Sequence, residues 1–213
     1  MSEVVVTQLS VSLDGYATGE PQTLEQPMGH ATGRLHEWMM PPDQPGGGRA
    51  RDGVDGAFAA LGWDGSVGVE IMGRRTFGPP TGAVDRRGVA GVVGAAPSLR
   101  DPRRRPHPPP EADPAPRGGT SFHVVDASPA EALEIARGLA DGRDVRVGGG
   151  PSTVRDFVAA GLVDRMHVVV VPVLLGRGVY LWEGLEGLEE RYDVETVVSP
   201  ASGVSHLTFV TKH

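Results

Sequence analysis

Residues 144–178 constrain the fold of this chain more than any other segment. A short apolar strand, 145–147, runs into the glycine triplet 148–150. Pro151 follows, and proline favours the first position of a helix because its missing N–H would have no partner there anyway. Apolar residues then recur at helical spacing, and the run 168–171 has the continuous apolar character of a strand buried on both faces. The stretch therefore predicts a β-α-β unit with a glycine-rich first turn.

The glycine triplet also has a possible chemical use. Gly148, Gly149 and Gly150 have no Cβ, so a ligand can approach their backbone closely. The N–H groups and the dipole of the following helix favour a phosphate or pyrophosphate at the same place. A tight turn that needs positive φ angles explains the same glycines equally well. From the residues alone, a phosphate-binding turn and a purely structural turn both stay open.

The other apolar segments predict further strands and helices of an α/β fold. A capping box at Ser128 opens a helix that completes a second β-α-β unit, and shorter helical segments are predicted at 33–40 and 58–61. The last two strands flank a Pro- and Gly-containing turn and predict an antiparallel hairpin that closes the sheet. The predicted strands are 3–12, 67–71, 122–125, 145–147, 168–171, 192–198 and 204–211.

Composition argues against several classes of protein. The length of 213 residues suits a single domain over 1–213. A net charge of -7 argues against nucleic acid as the main partner, because phosphate backbones need a basic face. The sequence has no long apolar run and no signal-peptide pattern, so no membrane partner is expected. The chain has no cysteine, which is compatible with a reducing compartment, and we expect a cytoplasmic protein.

Polar residues follow two of the predicted strands. Asp14 comes after the first strand, where its carboxylate can reach a ligand or can close an Asx turn on its own backbone. Gly73, Arg74, Arg75 and Thr76 follow the strand at 67–71, and guanidinium groups bind phosphate bidentately. Two arginines at a helix start conflict with the helix dipole, which favours an anionic ligand there. His30 and His36 lack the spacing of two ligands on one helix face, so no metal site is predicted.

The interval at about 79–118 is rich in proline and arginine. Its eight prolines between 94 and 117 remove backbone donors, so we expect an irregular loop with neither a helix nor a central strand. The residues 90–94 are the only apolar candidate for a strand in the interval, and a poor one. A solvated loop, a polyproline-II segment and a locally altered reading frame all stay open as interpretations. A basic tract for nucleic acid is the weakest of them in an acidic chain.

Four motifs in register resemble a known family. They are 12–15, 71–77, 147–150 and 172–178. Together they resemble the dihydrofolate-reductase-like superfamily, specifically the branch of the C-terminal reductase domain of bacterial riboflavin-biosynthesis deaminase-reductases. The resemblance covers residues 3–78 and 118–211, and it implies a mostly parallel, twisted central sheet flanked by helices, with an antiparallel C-terminal edge hairpin.

The resemblance also implies a cofactor, NADPH, lying across the ends of the strands. Arg74 would meet its 2′-phosphate, and Arg75 and Thr76 would hold the pyrophosphate region, with Gly73 as a further cofactor-binding residue. Gly148, Gly149 and Gly150 would present backbone N–H groups to the pyrophosphate. The cofactor would supply the hydride, and the protein would supply orientation and a dry pocket.

On the substrate side, the resemblance places Asp14 as the catalytic candidate, together with Leu175 and Gly176. The predicted short helix offers only Glu37 as a carboxylate, where dihydrofolate reductases carry the acid that protonates the pterin, so a true folate reductase is not expected. The implied reaction is hydride transfer to a C=N or C=O carbon of a small heterocyclic or sugar-like substrate. The resemblance further implies a homodimer. The alternative is a non-catalytic dimeric or nucleotide-binding member whose cofactor site has decayed, because the 79–118 interval lacks the strand expected there.

Overall fold

The computed structural model describes residues 2–23, 25–40, 53–61, 65–73, 76, 90–95 and 122–212. The α-helices in these ranges are Gly53–Leu61 (α1), Pro129–Leu139 (α2), Pro151–Ala159 (α3) and Leu188–Arg191 (α4). The strands are Val4–Ser12 (β1), Tyr16–Thr18 (β2), Val67–Gly73 (β3), Ala90–Ala95 (β4), Phe122–Asp126 (β5), Asp144–Gly148 (β6), Arg165–Val171 (β7), Val179–Tyr180 (β8), Tyr192–Val198 (β9) and Ser205–Thr211 (β10). None of the described helices is long and apolar enough to cross a membrane.

Eight strands form one sheet in the order β5-β4-β3-β6-β1-β7-β10-β9. The four central strands, β3, β6, β1 and β7, pair in parallel. Both edges are antiparallel, with β10 and β9 on one side and β4 and β5 on the other. The predicted α/β class, with its parallel centre and antiparallel C-terminal hairpin, is therefore confirmed.

The two predicted β-α-β units supply two strands of the parallel centre, β6 and β7. In the first, Ser128 caps α2 and forms the expected capping box with Glu131, whose carboxylate accepts the Ser128 backbone N–H at 2.9 Å. In the second, Pro151 opens α3 directly after β6 and the glycine turn. The faces of both helices bury apolar residues against the sheet, so each crossover returns the chain to the same edge of the parallel strands.

Strand β7 is buried on both faces, as its continuous apolar run predicted. Val168 belongs to the core that α2 and α3 cover. Val169 and Val171 belong to a second core on the opposite face, which contains Leu35 and Trp38. The segment that carries Leu35 and Trp38 therefore covers the face of the sheet that α2 and α3 leave open.

Strand β1 departs from regular alternation at a β-bulge. Its pairing with β7 shifts between Val6 and Leu9, and Gln8 has a φ of 58°. The extra residue changes the parity of the strand, so Val4, Val6, Leu9 and Val11 all face the same core. Without this bulge, regular alternation would place Leu9 and Val11 on the opposite face from Val4 and Val6.

The predicted short helix at 33–40 is absent, and consecutive turns replace it. Backbone N–H groups there bond three residues back, as from His36 to Gly33 at 2.8 Å and from Met39 to His36 at 3.1 Å. Leu35 and Trp38 are nevertheless buried. Residues three apart share a side in such turns as well as in a helix, so the apolar spacing could not distinguish the two.

The prediction of an irregular loop at 79–118 is wrong at residues 90–95. These residues form β4, which pairs antiparallel with β3 through Met72 and Val92, and with β5 on its other side. The prolines that excluded a strand begin at Pro97, beyond the end of β4. The tract from 96 to 121 lies outside the described residues. Because β4 is present, the argument that a strand is missing from this interval, which favoured a decayed cofactor site, does not hold.

Candidate functional site

A cleft of about 280 Å³ lies where β6 ends. It touches the carboxyl end of one central strand and the bulge of its neighbour β1, and ligands of open α/β sheets bind at such strand ends. Its lining residues come from β1, the turns at 33–40, β3, β6, the glycine turn and α3. They are Val6, Thr7, Gln8, Leu9, His36, Met39, Glu70, Arg146, Val147, Gly148, Gly149, Gly150 and Val154.

Packing accounts for two of the three glycines in the turn. A Cβ on Gly148 would collide with the Glu70 carboxylate. Gly149 has a φ of 82°, and a Cβ there would press on the Thr76 hydroxyl. Both positions therefore need glycine for reasons of structure, as the turn interpretation predicted.

Gly150 is different, because nothing in the described structure requires it. Its φ of 162° is extended, and a Cβ built there meets no atom within 4 Å. It is also the N-cap of α3, and no side chain among the described residues caps the N–H groups of that helix. The first turn of a helix leaves several N–H groups without intrahelical partners, and their dipoles favour an anion. The open space at Gly150 gives a ligand access to these donors.

One wall of the cleft is an ion pair. Arg146 of β6 and Glu70 of β3 lie on neighbouring strands, and their side chains approach to 2.6 Å. Both side chains are largely buried, with 9% and 13% of their surface exposed. The two charges offset each other, so this wall presents little net charge to a ligand.

The structure brings His36, rather than Glu37, to the cleft. His36 lines the cleft, and burial lowers its pKa below the ordinary value of 6.5. Glu37 is exposed and does not line the cleft. Residues three apart share a side in these turns, so His36 lies on the cleft side together with Met39, and Glu37 does not.

Asp14 ties two distant segments together. Its carboxylate accepts hydrogen bonds from the Ser12 hydroxyl at 2.6 Å and from the backbone N–H groups of Leu175 at 3.1 Å and Gly176 at 2.7 Å. Burial acts to raise the pKa of Asp14, but these hydrogen bonds outweigh it and lower the pKa below 3.8. The predicted neighbours Asp14, Leu175 and Gly176 thus do meet, but none of them lines the cleft.

The end of β3 meets the glycine turn. The Thr76 hydroxyl donates to the backbone oxygen of Gly149, and a Cβ on Gly73 would collide with the Thr153 hydroxyl of α3. Gly73 and Thr76 therefore lie beside the turn, as predicted for residues that hold one cofactor together. Arg74 and Arg75 lie outside the described residues.

A buried polar network was missed by sequence analysis. Asp55, the only buried residue of α1, accepts hydrogen bonds from Ser199 and from His206, both at 2.9 Å. The Nδ1 atom of His206 in turn lies 3.1 Å from the Nε2 atom of His167. The ring of Phe58 stacks on both imidazoles, with centroids 4.7 Å from His167 and 4.2 Å from His206. The participants are too far apart in the sequence for any spacing to have indicated this network.

Gln8 connects that network to the cleft. Its side-chain amide donates to the backbone oxygens of Phe58 and Ala59, at 3.2 and 2.6 Å, near the end of α1. Gln8 also lines the cleft on the other side of the β1 bulge. The bulge therefore holds α1 and shapes the cleft with one residue.

Comparison with known protein families gives a match over part of the chain. Residues 112–201 match the family described as RibD C-terminal domain. This range contains the glycine turn, α3 and the loop that Asp14 holds. The family resemblance is confirmed.

One solved structure supports the fold, and two others match less well. A putative riboflavin biosynthesis protein from Shewanella sp. PV-4 is similar over the whole of both chains, with a TM-score of 0.51 and 18% identity. The whole of this chain also matches RibD of Acinetobacter baumannii (form 2), with a TM-score of 0.45 and 15% identity. The match covers 58% of the RibD chain. A pyrimidine reductase-like protein from Corynebacterium diphtheriae matches over 41% of this chain and 36% of its own, with a TM-score of 0.33 and 21% identity. None of the curated proteins matches the chain.

The RibD C-terminal domain family is a reductase family. Of the predicted site residues, Gly148, Gly149, Gly150, Leu175 and Gly176 fall inside the matched range. The predicted residues from the first half of the chain fall outside it, and for Asp14, Gly73 and Thr76 the evidence is the set of contacts described above.

Proposed function

We propose that the protein is a reductase that transfers a hydride from NADPH to a C=N or C=O carbon of a small heterocyclic or sugar-like substrate. The observation that carries this proposal is the open, uncapped start of α3 at Gly150, inside a cleft at the end of β6. The RibD C-terminal domain match supports the same class of reaction.

The chain would bind the cofactor mainly through its phosphates. The free N–H groups at the start of α3 suit the pyrophosphate, and Thr76 lies at the same turn. In the sequence, Arg74 and Arg75 stand between Gly73 and Thr76, both of which contact this part of the site. We assign Arg74 to the 2′-phosphate, which makes NADPH the preferred cofactor over NADH.

The remaining walls would exclude water from the reacting end. Apolar lining residues from β1, β6 and α3 flank the cleft, namely Val6, Leu9, Val147 and Val154. When bound, the nicotinamide supplies the hydride, and the protein holds it against the substrate in a site of low polarity.

Two substitutions at Gly150 test the observation that carries the proposal. Gly150→Ala adds a Cβ in open space, so we expect the fold and NADPH affinity to change little. Gly150→Asp adds a carboxylate that caps α3 and occupies the anion position, so it should maintain the thermal stability while weakening NADPH by tenfold or more, as roughly 1.5 kcal/mol or more of charge-assisted bonding is lost. Fluorescence titration measures the NADPH affinity of each variant, and thermal unfolding measures its stability. Equal affinities of the two variants would refute the assignment of the pyrophosphate to this helix.

Arg74→Ala tests the choice of cofactor. Loss of a charge-assisted contact of roughly 1.5 to 3 kcal/mol should weaken NADPH by about tenfold or more and leave NADH almost unchanged. Arg137→Ala serves as the control, since Arg137 is exposed on α2 and, within the described ranges, pairs with the nearby Glu134 alone. Equal losses for both cofactors would remove the assignment of Arg74.

Turnover distinguishes an enzyme from a non-catalytic relative. Wild-type protein with NADPH is offered pteridines, other small heterocycles with a C=N bond, and aldoses, and NADPH oxidation is followed by absorbance. Oxidation that depends on one of these compounds supports the reductase. Tight NADPH binding without oxidation by any of them favours a nucleotide-binding member.

A further inference from the structure

We propose that His36 is the residue that gives a proton to the substrate as it is reduced in the cleft. This inference rests on the proposed function and deepens it. Hydride transfer alone leaves a negative charge on the substrate oxygen or nitrogen, so the reaction needs a proton donor beside the cofactor.

The position of His36 is fixed by its neighbours in the chain. Leu35 and Trp38 are both buried in the second core, on either side of it. The indole N–H of Trp38 donates to the Ser10 hydroxyl at 2.9 Å, which ties this segment to β1. The backbone N–H of His36 bonds to Gly33, and its backbone oxygen accepts from Met39. A side chain held in this way can present its imidazole to the cleft with little conformational freedom.

Elimination among the cleft residues points to the same group. Within the described part of the chain, the titratable side chains that line the cleft are His36, Glu70 and Arg146. Glu70 and Arg146 bind each other at 2.6 Å, so neither can give up a proton without breaking that pair. His36 makes no side-chain hydrogen bond to any described residue, which leaves its ring nitrogens available to a ligand.

The chemistry balances with His36 as the acid. The hydride of the reduced nicotinamide adds to the substrate carbon, and the π electrons of the C=O or C=N bond move to the oxygen or nitrogen. That atom takes the proton of the His36 imidazolium, which yields an alcohol or amine, the oxidised nicotinamide and a neutral imidazole. Solvent then reprotonates the imidazole. Burial makes the imidazolium a stronger acid than a free one, which favours this transfer.

NMR with NADP⁺ tests whether His36 lies at the reacting end of the site. We follow the backbone amides of Gly149 and Gly150 and the imidazole signals of His36 and His123, the last being an exposed histidine on β5. Shifts of the glycine amides and of His36, with His123 unmoved, support the proposal. Shifts of the glycine amides without His36 overturn it and leave the reductase intact. If the glycine amides do not move, the proposed function fails and this inference fails with it.

Kinetics on any compound that the wild type reduces provide a second readout. His36→Gln keeps a hydrogen-bonding side chain but cannot transfer a proton, so kcat should fall by roughly a hundredfold or more while KM stays within about twofold. The wild-type rate should also decline as the pH rises through the pKa of His36, and the variant should lack this decline. His123→Gln should match the wild type. An unchanged kcat or an unchanged pH profile in His36→Gln would overturn the proposal.

Discussion

His167 offers a quantitative test of how this fold responds to pH. Burial, together with the neighbouring His206, lowers the pKa of His167 from 6.5 to about 4. The folded state therefore binds this proton less well than the unfolded chain. The resulting stability is complete above pH 6.5 and is lost as the pH falls toward 4.

The magnitude follows from the two pKa values. At about pH 4.5, the unfolded histidine is almost fully protonated and the folded one is not, which lowers the free energy of unfolding by about 2.5 kcal/mol. His167→Gln removes this titration. The glutamine amide can still donate to Nδ1 of His206, but the stacking of the imidazole on Phe58 is lost, at about 1 kcal/mol.

The order of stability should therefore reverse between the two pH values. At about pH 7.5 the variant should be less stable than the wild type by about 1 kcal/mol, and at about pH 4.5 more stable by about 1.5 kcal/mol. Urea unfolding at both pH values measures this, and the protonation of carboxylates cancels because both proteins carry the same ones. His123→Gln, at an exposed position, should show no reversal. If the wild type stays the more stable protein at both pH values, the buried neutral state of His167 is refuted.

Three further outcomes follow from contacts described above. Asp14→Asn should speed amide hydrogen exchange in the loop 172–178 by about tenfold, because two backbone N–H groups lose a charged acceptor. Unchanged exchange would show that the Asp14 carboxylate does not hold this loop. Gly148→Ala should lower the free energy of unfolding by about 1 to 3 kcal/mol, and adding Glu70→Asp should recover part of the loss by shortening the colliding side chain; a neutral Gly148→Ala would refute the collision. For the expected homodimer, light scattering should give twice the 22.4 kDa of one chain, and Leu174→Asp, at an apolar residue with 67% of its surface exposed, should shift it toward the monomer, whereas a monomeric wild type would refute the dimer.

Local signals predicted the central architecture well. The capping box at Ser128 and the proline at 151 each act within one helical turn, so their effect does not depend on the rest of the chain. The continuous apolar run at 168–171 predicted a strand buried on both faces because few other structures can bury every residue of such a run. For these elements, the tertiary structure agrees with what each segment favours by itself.

The misses arose where a distant contact decides the structure. Leu174, Leu175 and Leu181 are close in the sequence, but Leu174 is exposed, whereas Leu175 and Leu181 are buried within the chain itself. Asp55 is 144 residues from Ser199 and 151 from His206 in the sequence, and only the fold brings it to them. Composition gives no signal for such contacts, since each participant is an ordinary polar residue until its partner is known.

The candidate site was predictable as a region but not in its details. The glycine turn was expected to contact a ligand through all three residues, yet packing explains Gly148 and Gly149, and Gly150 alone has open space. The carboxylate at Glu37 was chosen by its chemistry, whereas the direction of the side chain depends on turns that the spacing could not distinguish from a helix. Deciding which neighbour faces inward needs the hydrogen-bond pattern of the backbone.

The bulge in β1 has a consequence for how chains of this kind can change length. Thr7 and Gln8 together stand opposite the single residue His167 of β7. Losing one residue here would give an unbroken ladder and would leave both halves of β1 facing their present core. A one-residue deletion inside a central strand usually disrupts the sheet, but here the sheet would tolerate the loss of Gln8. The same deletion would remove the hydrogen bonds from Gln8 to α1 and one lining residue of the cleft. Relatives with a β1 shorter by one residue should accordingly keep the fold and differ in what they bind.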